Sequence, residues 1–382
     1  MASSQYVVVG AGLAGAATAW SLTRRDHEVT VVERAQPAAP DGSSHGSARI
    51  FRYAYRDAFY TRLVVEARKG WDQLERVSRK ELITSTGSLD FGGTRDPRAL
   101  AGVLEAAGVE HELLDREEAR SRWPQIAVDT ETLWHPGAGV IDSETAVKTM
   151  LDQAVKHGAR LVTDWELARI TKAPSRFRLT AANGAELDAE KVVVAAGGWL
   201  PHMLADLQLP SGFLSALPPL QVSQEQAYHF PYRDGTMRWP TFIHKSPSMQ
   251  TYSLPGGRDA AFRGQKLAEY NAGPKMRSAV HQTGTIHPAN RAKLIEYVTE
   301  FLPGLVPEPY AETTCLFTNT PTEDFVVDGV DGVVLVSACS GHGAKFAPLI
   351  GDIAADVATG SAVAPDRFRV GAGAREEVTG RA

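Results

Sequence analysis

A glycine run near the start of the chain has the spacing to hold a dinucleotide. Gly10-Ala11-Gly12-Leu13-Ala14-Gly15 is G-x-G-x-x-G; it follows an apolar stretch, opens a helical pattern, and has Glu33 23 residues beyond Gly10. Gly10 permits the tight turn, Gly12 lets the backbone approach a pyrophosphate, and Gly15 lets helix and sheet pack closely. The helix N-terminus attracts the phosphates, and Glu33 can accept hydrogen bonds from an adenosine ribose. The motif alone does not say which dinucleotide. Other residues of chemical interest are ambiguous by type: Arg49 and Arg52 read as readily as solvated or ion-paired cations. Lys266 reads as a surface lysine, and Cys315 and Cys339 as small buried thiols.

The elements that must position these groups follow from periodicity. An apolar run at 5–9 and a second at 28–33 predict strands, with a helix over 13–25 between them; this βαβ opening implies a parallel sheet. Long amphipathic spacing predicts a helix over 59–79, and Asp142 or Ser143 caps another that ends before Gly158. Asn183-Gly184 marks a hairpin between 178–182 and 186–187, and 192–196 is an apolar strand ending at Gly197-Gly198. Residues 221–255 mix polar and aromatic types in short β-like segments, and a helix begins near Pro288. The strand at 333–337 runs into Ser340-Gly341-His342-Gly343 and a further helix to about residue 359; the tail at 371–382 reads as frayed.

Composition excludes several classes. At 382 residues the chain has room for about two and a half domains. With 43% hydrophobic and 22% charged residues, it is an ordinary globular composition. Forty basic against 45 acidic residues leave −5, the wrong sign for binding nucleic acid or an anionic membrane. Two cysteines cannot build a four-cysteine zinc site or a disulfide framework, although one bridge between them stays open, and no metal site is expected. No apolar run approaches the roughly 18 residues of a membrane span, and the first residues lack a signal-peptide pattern. A cytoplasmic protein with no membrane or nucleic-acid partner is therefore expected.

Three further segments, in order, carry a resemblance. They are Ser43-Ser44-His45-Gly46-Ser47-Ala48-Arg49-Ile50-Phe51-Arg52, Cys315-Leu316-Phe317-Thr318, and Ser340-Gly341-His342-Gly343-Ala344-Lys345-Phe346. Together they resemble the monomeric sarcosine oxidase and N-methyltryptophan oxidase family, within the D-amino-acid-oxidase-like flavoproteins. The resemblance spans nearly the whole chain and is weakest between residues 83 and 134. It implies FAD, bound by Gly10, Gly12, Leu13, Ala14, Gly15, Glu33, Arg34, Ser44, His45, Arg49, Gly197, Gly341, Gly343 and Lys345, and tethered through a thioether at Cys315. It implies that Arg52 and Lys345 clamp a substrate carboxylate, that Tyr252 lines the substrate pocket, and that Arg49 lies close to the flavin ring. Lys266 matches a lysine that activates oxygen opposite the substrate, across about three extra residues after Pro255. This chain departs from familiar members at Phe317, where they have tyrosine, and at Tyr270, where a pocket histidine is expected. Those departures weaken sarcosine itself as substrate; a bulkier or cyclic amino acid fits at least as well.

The implied fold is α/β, a Rossmann-like FAD-binding domain (1–82, 142–219 and 315–382) with a second, mixed β-sheet substrate domain (83–141 and 220–314). The active site is expected at their junction. The implied activity is oxidation of an amino acid with a secondary or cyclic amine to an imine, with oxygen reduced to hydrogen peroxide, by a monomer. Three other readings compete. One is a flavin dehydrogenase using another acceptor, against which Lys266 argues. Another is an NAD-dependent dehydrogenase, which leaves the Cys315 and Ser340 segments unexplained. The last is a non-catalytic nucleotide-binding protein, against which Arg52 and Lys345 argue.

Overall fold

The computed structural model describes residues 3–371; the tail expected to fray lies, beyond Gly371, outside the described residues. Strands Ser3–Val9 and Val29–Val32 are rich in valine, stiff at χ1 and buried on both faces, as parallel strands covered by helices must be. They pair in parallel from Tyr6 opposite Val29 to Val9 opposite Val32. Arg160–Val162 extends the sheet beyond Val29–Val32, while Glu186–Val194 and then Val333–Ser337 extend it on the other side. The first helix, Leu13–Thr23, packs between Ser143–Lys156 and Ala347–Thr359. Gly351 on the latter helix permits the close approach to Ala17: a Cβ there would stand 2.4 Å from the Ala17 carbonyl carbon.

Helix boundaries follow their caps. Asp142 accepts from the Thr145 amide at the start of Ser143–Lys156, and Asp57 from the Phe59 amide at the start of Ala58–Ser78. The Asn183-Gly184 hairpin forms, with Gly184 at φ +83. One expectation changes. Residues 186–187 and 192–196 are not separate elements but one strand, Glu186–Val194. Its first half pairs with Phe177–Ala181 and its second with Val333–Ser337. The polar Glu190-Lys191 step falls where the partner changes.

Among the described residues the second sheet has nine strands. In spatial order they are Lys275–Met276, Gln221–Pro231, Gly264–Glu269, Gln250–Pro255, Thr241–Lys245, Ser88–Phe91, Thr132–His135 and Glu112–Leu114, with Ala311–Asn319 also paired to Gln221–Pro231. Thr241–Lys245 runs parallel to Ser88–Phe91 while its other neighbour is antiparallel, so the sheet is mixed. Helix Pro288–Phe301 seats Leu294, Tyr297 and Val298 against Tyr228, Phe230, Phe242 and Leu267. A small sheet of Arg49–Phe51, Gly139–Ile141 and Ile83–Ser85 lies between segments expected in different domains. The expected boundary at 314/315 falls inside Ala311–Asn319, so Cys315 rides on the large sheet. Residues from both large sheets line one continuous cavity of about 1950 Å³. A drug-sized ligand needs only about 300–1,000 Å³.

Candidate active site

At the nucleotide end, the glycines leave room for a ligand and for each other. A Cβ on Gly15 would stand 1.9 Å from the Gly10 carbonyl oxygen, and one on Gly10 2.5 Å from that of Ala195. Gly10, Gly12, Leu13 and Ala14 line the cavity, as do Glu33, Arg34, Ser44 and Gly197. Glu33 accepts from the Ala11 amide at 2.7 Å, which fixes the carboxylate beside the glycine turn. Ser44 Oγ accepts from the Leu13 amide at 3.0 Å, at a helix start where the N-cap, Gly12, offers no side chain. Arg34 pairs with Asp41 and stacks over Trp199, its guanidinium carbon 4.1 Å from the ring centre. Gly15 and His45 do not line the cavity. Gly15 serves the packing of helix on strand, and the His45 ring donates Nε2–H to the Thr314 carbonyl at 3.1 Å, tying its loop to the Cys315 strand.

In the middle of the cavity stand Arg49, Lys266 and Cys315. Arg49 is spent on backbone: it donates to the carbonyls of Ser43, His45 and Ala48 at 2.8–2.9 Å, shaping the small-residue loop. Lys266 is only 5% exposed, against the surface position its type suggests. It sits on Gly264–Glu269 between Leu254 and His229, and the extra residues after Pro255 form the short turn Arg258–Ala260. Burial, then Arg49, pulls its ammonium down to about 8, against Cys315 and Asp259. Cys315 is half-buried, and both cysteines are free thiols. Burial pushes the Cys315 thiol up, while Arg49 and Lys266 draw it back.

At the far end, Gly341 and Gly343 shape a turn before Ala347–Thr359: a Cβ on Gly343 would stand 1.8 Å from the Ala338 carbonyl oxygen. That turn presents Lys345, 3% exposed, to the cavity. Its ammonium donates to the Tyr55 hydroxyl at 2.9 Å and the His342 carbonyl at 2.6 Å. Burial and Arg52 hold it well below the usual lysine range. Arg52 lies over the same Tyr55 ring, its guanidinium carbon 4.4 Å from the centre, and donates to the Ala54 carbonyl. Among the described residues neither cation has a carboxylate partner. The Tyr55 hydroxyl donates a hydrogen bond to His342 Nδ1 at 3.2 Å, and His342 Nε2–H donates to the Glu323 carbonyl at 3.0 Å. Burial and Lys345 push that imidazole down to about 3, so it is neutral. Tyr252 lines the wall, half-buried, with burial raising its phenol; Tyr270 and Phe317 face each other at 5.8 Å across Gly341.

Several of these residues were not legible beforehand. The Ala54 carbonyl also accepts from Arg95 at 3.1 Å, and Arg95 is held by Asp90 at 2.7 Å in a fully buried pair beside a neutral His135. The register Asp90–Leu133 and Ser88–His135 creates this group, and nothing in local sequence marks it. Arg95→Met strands the Asp90 carboxylate and should cost about 3–5 kcal/mol. The measurement is the thermal midpoint, and a second change, Asp90→Leu, should recover much of the loss. An unchanged midpoint in the single variant would contradict the pair's structural weight.

Known proteins resemble this chain over most of its length. The chain is 28% identical over 368 residues to monomeric sarcosine oxidase from a Bacillus species, covering 92% of this chain and 91% of that one. It is 29% identical over 367 residues to N-methyl-L-tryptophan oxidase from Escherichia coli, covering 92% and 94%. Among solved structures it superposes on NikD, described as an unusual amino acid oxidase essential for nikkomycin biosynthesis, with a TM-score of 0.84 at 23% identity over 97% and 98% of the two chains. L-proline dehydrogenase from P. horikoshii follows the same fold, with a TM-score of 0.79 at 20% identity over 94% of each. The family model for FAD dependent oxidoreductases (DAO) matches residues 5–357, and the chain belongs to that family.

Proposed function

We propose that this protein oxidises an amino acid whose amine is secondary or cyclic, N-methyl or pipecolate-like, to an imine that water hydrolyses, with oxygen as electron acceptor and hydrogen peroxide as product. One observation carries the reading: Arg52 and Lys345, two buried or half-buried cations without carboxylate partners among the described residues, line one cavity and both contact Tyr55. The curated relatives are named for oxidising N-methyl amino acids, which supports the substrate class.

The residues present fit FAD. The glycine cradle would be filled by any Cβ, Glu33 stands where a ribose is expected, and the cavity exceeds the needs of a substrate alone. Segments 1–82, 142–219 and 315–382 are proposed to hold it, and 83–141 with 220–314 the substrate. Bound FAD supplies the acceptor for the hydride. This chain's groups do the rest. Arg52 and Lys345 fix the α-carboxylate and so aim the carbon next to nitrogen. Tyr252, Tyr270 and Phe317 wall the site and exclude water. The neutral His342 holds the Tyr55 hydroxyl as an acceptor for Lys345, which keeps the ammonium pointed inward. No carboxylate need act as base when the amine binds neutral. A cytoplasmic monomer is part of the same proposal; no helix among the described residues is long and apolar enough to cross a membrane.

Cys315 is the proposed attachment point of the flavin. It is half-buried at the cavity wall, where burial raises its thiol and Arg49 and Lys266 partly offset that. Acid-precipitated protein should stay yellow, and proteolysis should yield a flavin-bearing peptide that contains Cys315. Release of all flavin to the supernatant would remove the tether and leave the FAD site standing. Screening amino acids for peroxide release tests the overall function.

A further inference from the structure

The cavity carries more positive charge than one α-carboxylate uses. Lys245, the last residue of Thr241–Lys245, lines it together with Arg56, Arg52 and Arg95. The backbone of Lys245 is clamped: Thr94 donates from its amide and its hydroxyl to the Lys245 carbonyl at 3.0 and 3.1 Å. The carbonyl of the same Thr94 accepts from Arg56 Nη2 at 3.2 Å, so one turn holds both cations. Gly92 makes that turn possible, at φ +107, where a Cβ would stand 2.4 Å from the Lys245 carbonyl oxygen.

Asp90 answers Arg95, but among the described residues the Lys245 ammonium has no ion-pair partner. The acids nearby are committed. Glu323 accepts from Tyr270 and Asn271 at 3.0 and 3.2 Å, and Asp324 from Tyr60 at 2.8 Å and Arg367 at 2.7 Å. Burial, then Arg95 and Arg52, pulls the Lys245 ammonium down to about 8, against Glu323. An anion arriving beside it relieves both effects.

Resting on the oxidase reading above, we propose that Lys245 binds a carboxylate on the substrate's side chain, so that the preferred substrate is an N-substituted dicarboxylic amino acid. Arg52 and Lys345 take the α-carboxylate and Lys245 the distal one. Two anchored ends fix orientation better than one. A neutral isostere leaves a partly desolvated ammonium unanswered, which is how a polar site rejects an analogue lacking the matching group.

The test uses the flavin-loaded enzyme and begins with binding. Glutarate and butyrate are titrated as inhibitors against the absorbance of the bound flavin. Glutarate should bind about tenfold or more tightly, an advantage worth roughly 1.4 kcal/mol, and Lys245→Met should erase most of it. Turnover follows: kcat/KM for N-methyl-L-glutamate over N-methyl-L-glutamine should be about 10–100, falling toward one in Lys245→Met. The wild-type comparisons stand even if the variant does not fold. Equal binding of glutarate and butyrate, or a substrate ratio that Lys245→Met does not move, overturns the second anion site. Turnover of neutral N-methyl amino acids in that case leaves the oxidase reading in place. If no amino acid reduces the flavin and neither inhibitor perturbs it, the oxidase reading falls and takes this proposal with it.

Discussion

Lys266→Met should leave anaerobic reduction of the flavin by substrate nearly unchanged and slow reoxidation by air about 100-fold or more. Reducing oxygen places a new negative charge in a site shielded from water, where a fixed ammonium is worth more than in bulk solvent. Lys266 is suited to that task because it is almost fully buried, donates only a long 3.5 Å contact to the Ala48 carbonyl, and has Arg49 and Cys315 beside it. Stopped-flow measurement of the two half-reactions separates the outcomes. If flavin reduction alone slows, Lys266 serves the substrate and the oxygen site belongs to another cation. If the wild-type reduced enzyme reacts with oxygen no faster than free flavin, the oxidase reading itself fails and another acceptor exists.

Arg52→Met or Lys345→Met should lower kcat/KM for the amino-acid substrate about 30- to 1000-fold, equivalent to roughly 2–4 kcal/mol of transition-state binding. Each change removes one of two charge-assisted contacts in a water-poor cavity. Lys345 adds a pH signature. Burial and Arg52 hold its ammonium well below the usual lysine range, and an arriving carboxylate favours the charged form. Carboxylate binding therefore takes up a proton wherever Lys345 is neutral in the free enzyme. There, the dissociation constant of a carboxylate inhibitor should rise with pH, and Lys345→Met should flatten that slope. Near-normal kcat/KM in either variant would contradict the clamp.

The nucleotide half was readable because its signals are local. The glycine run, the valine strands either side of it, the Asp142 cap and the Asn183-Gly184 turn each act within a few residues through backbone conformation and short hydrogen bonds. The family motifs likewise lie in short continuous segments, so Arg49, Arg52, Cys315 and Lys345 could be named from them, and all four line the cavity. The large sheet was read only as mixed β texture. Gln221–Pro231 buries Gln224, Glu225 and Gln226, residues whose type suggests solvent, because backbone amides of the 273–287 segment meet their side-chain oxygens. Lys266 reads as a surface residue for the same reason and is buried by its strand neighbours. The Asp90–Arg95–His135 group, the Tyr55–His342–Lys345 chain and Lys245 on the Thr94 turn join residues that are far apart in the chain or set on different strands. Periodicity and composition report a residue's own preference for water or backbone shape. Which charge meets which partner, and which cation is left facing the cavity, depends on strand register and loop closure, and only the tertiary structure sets those.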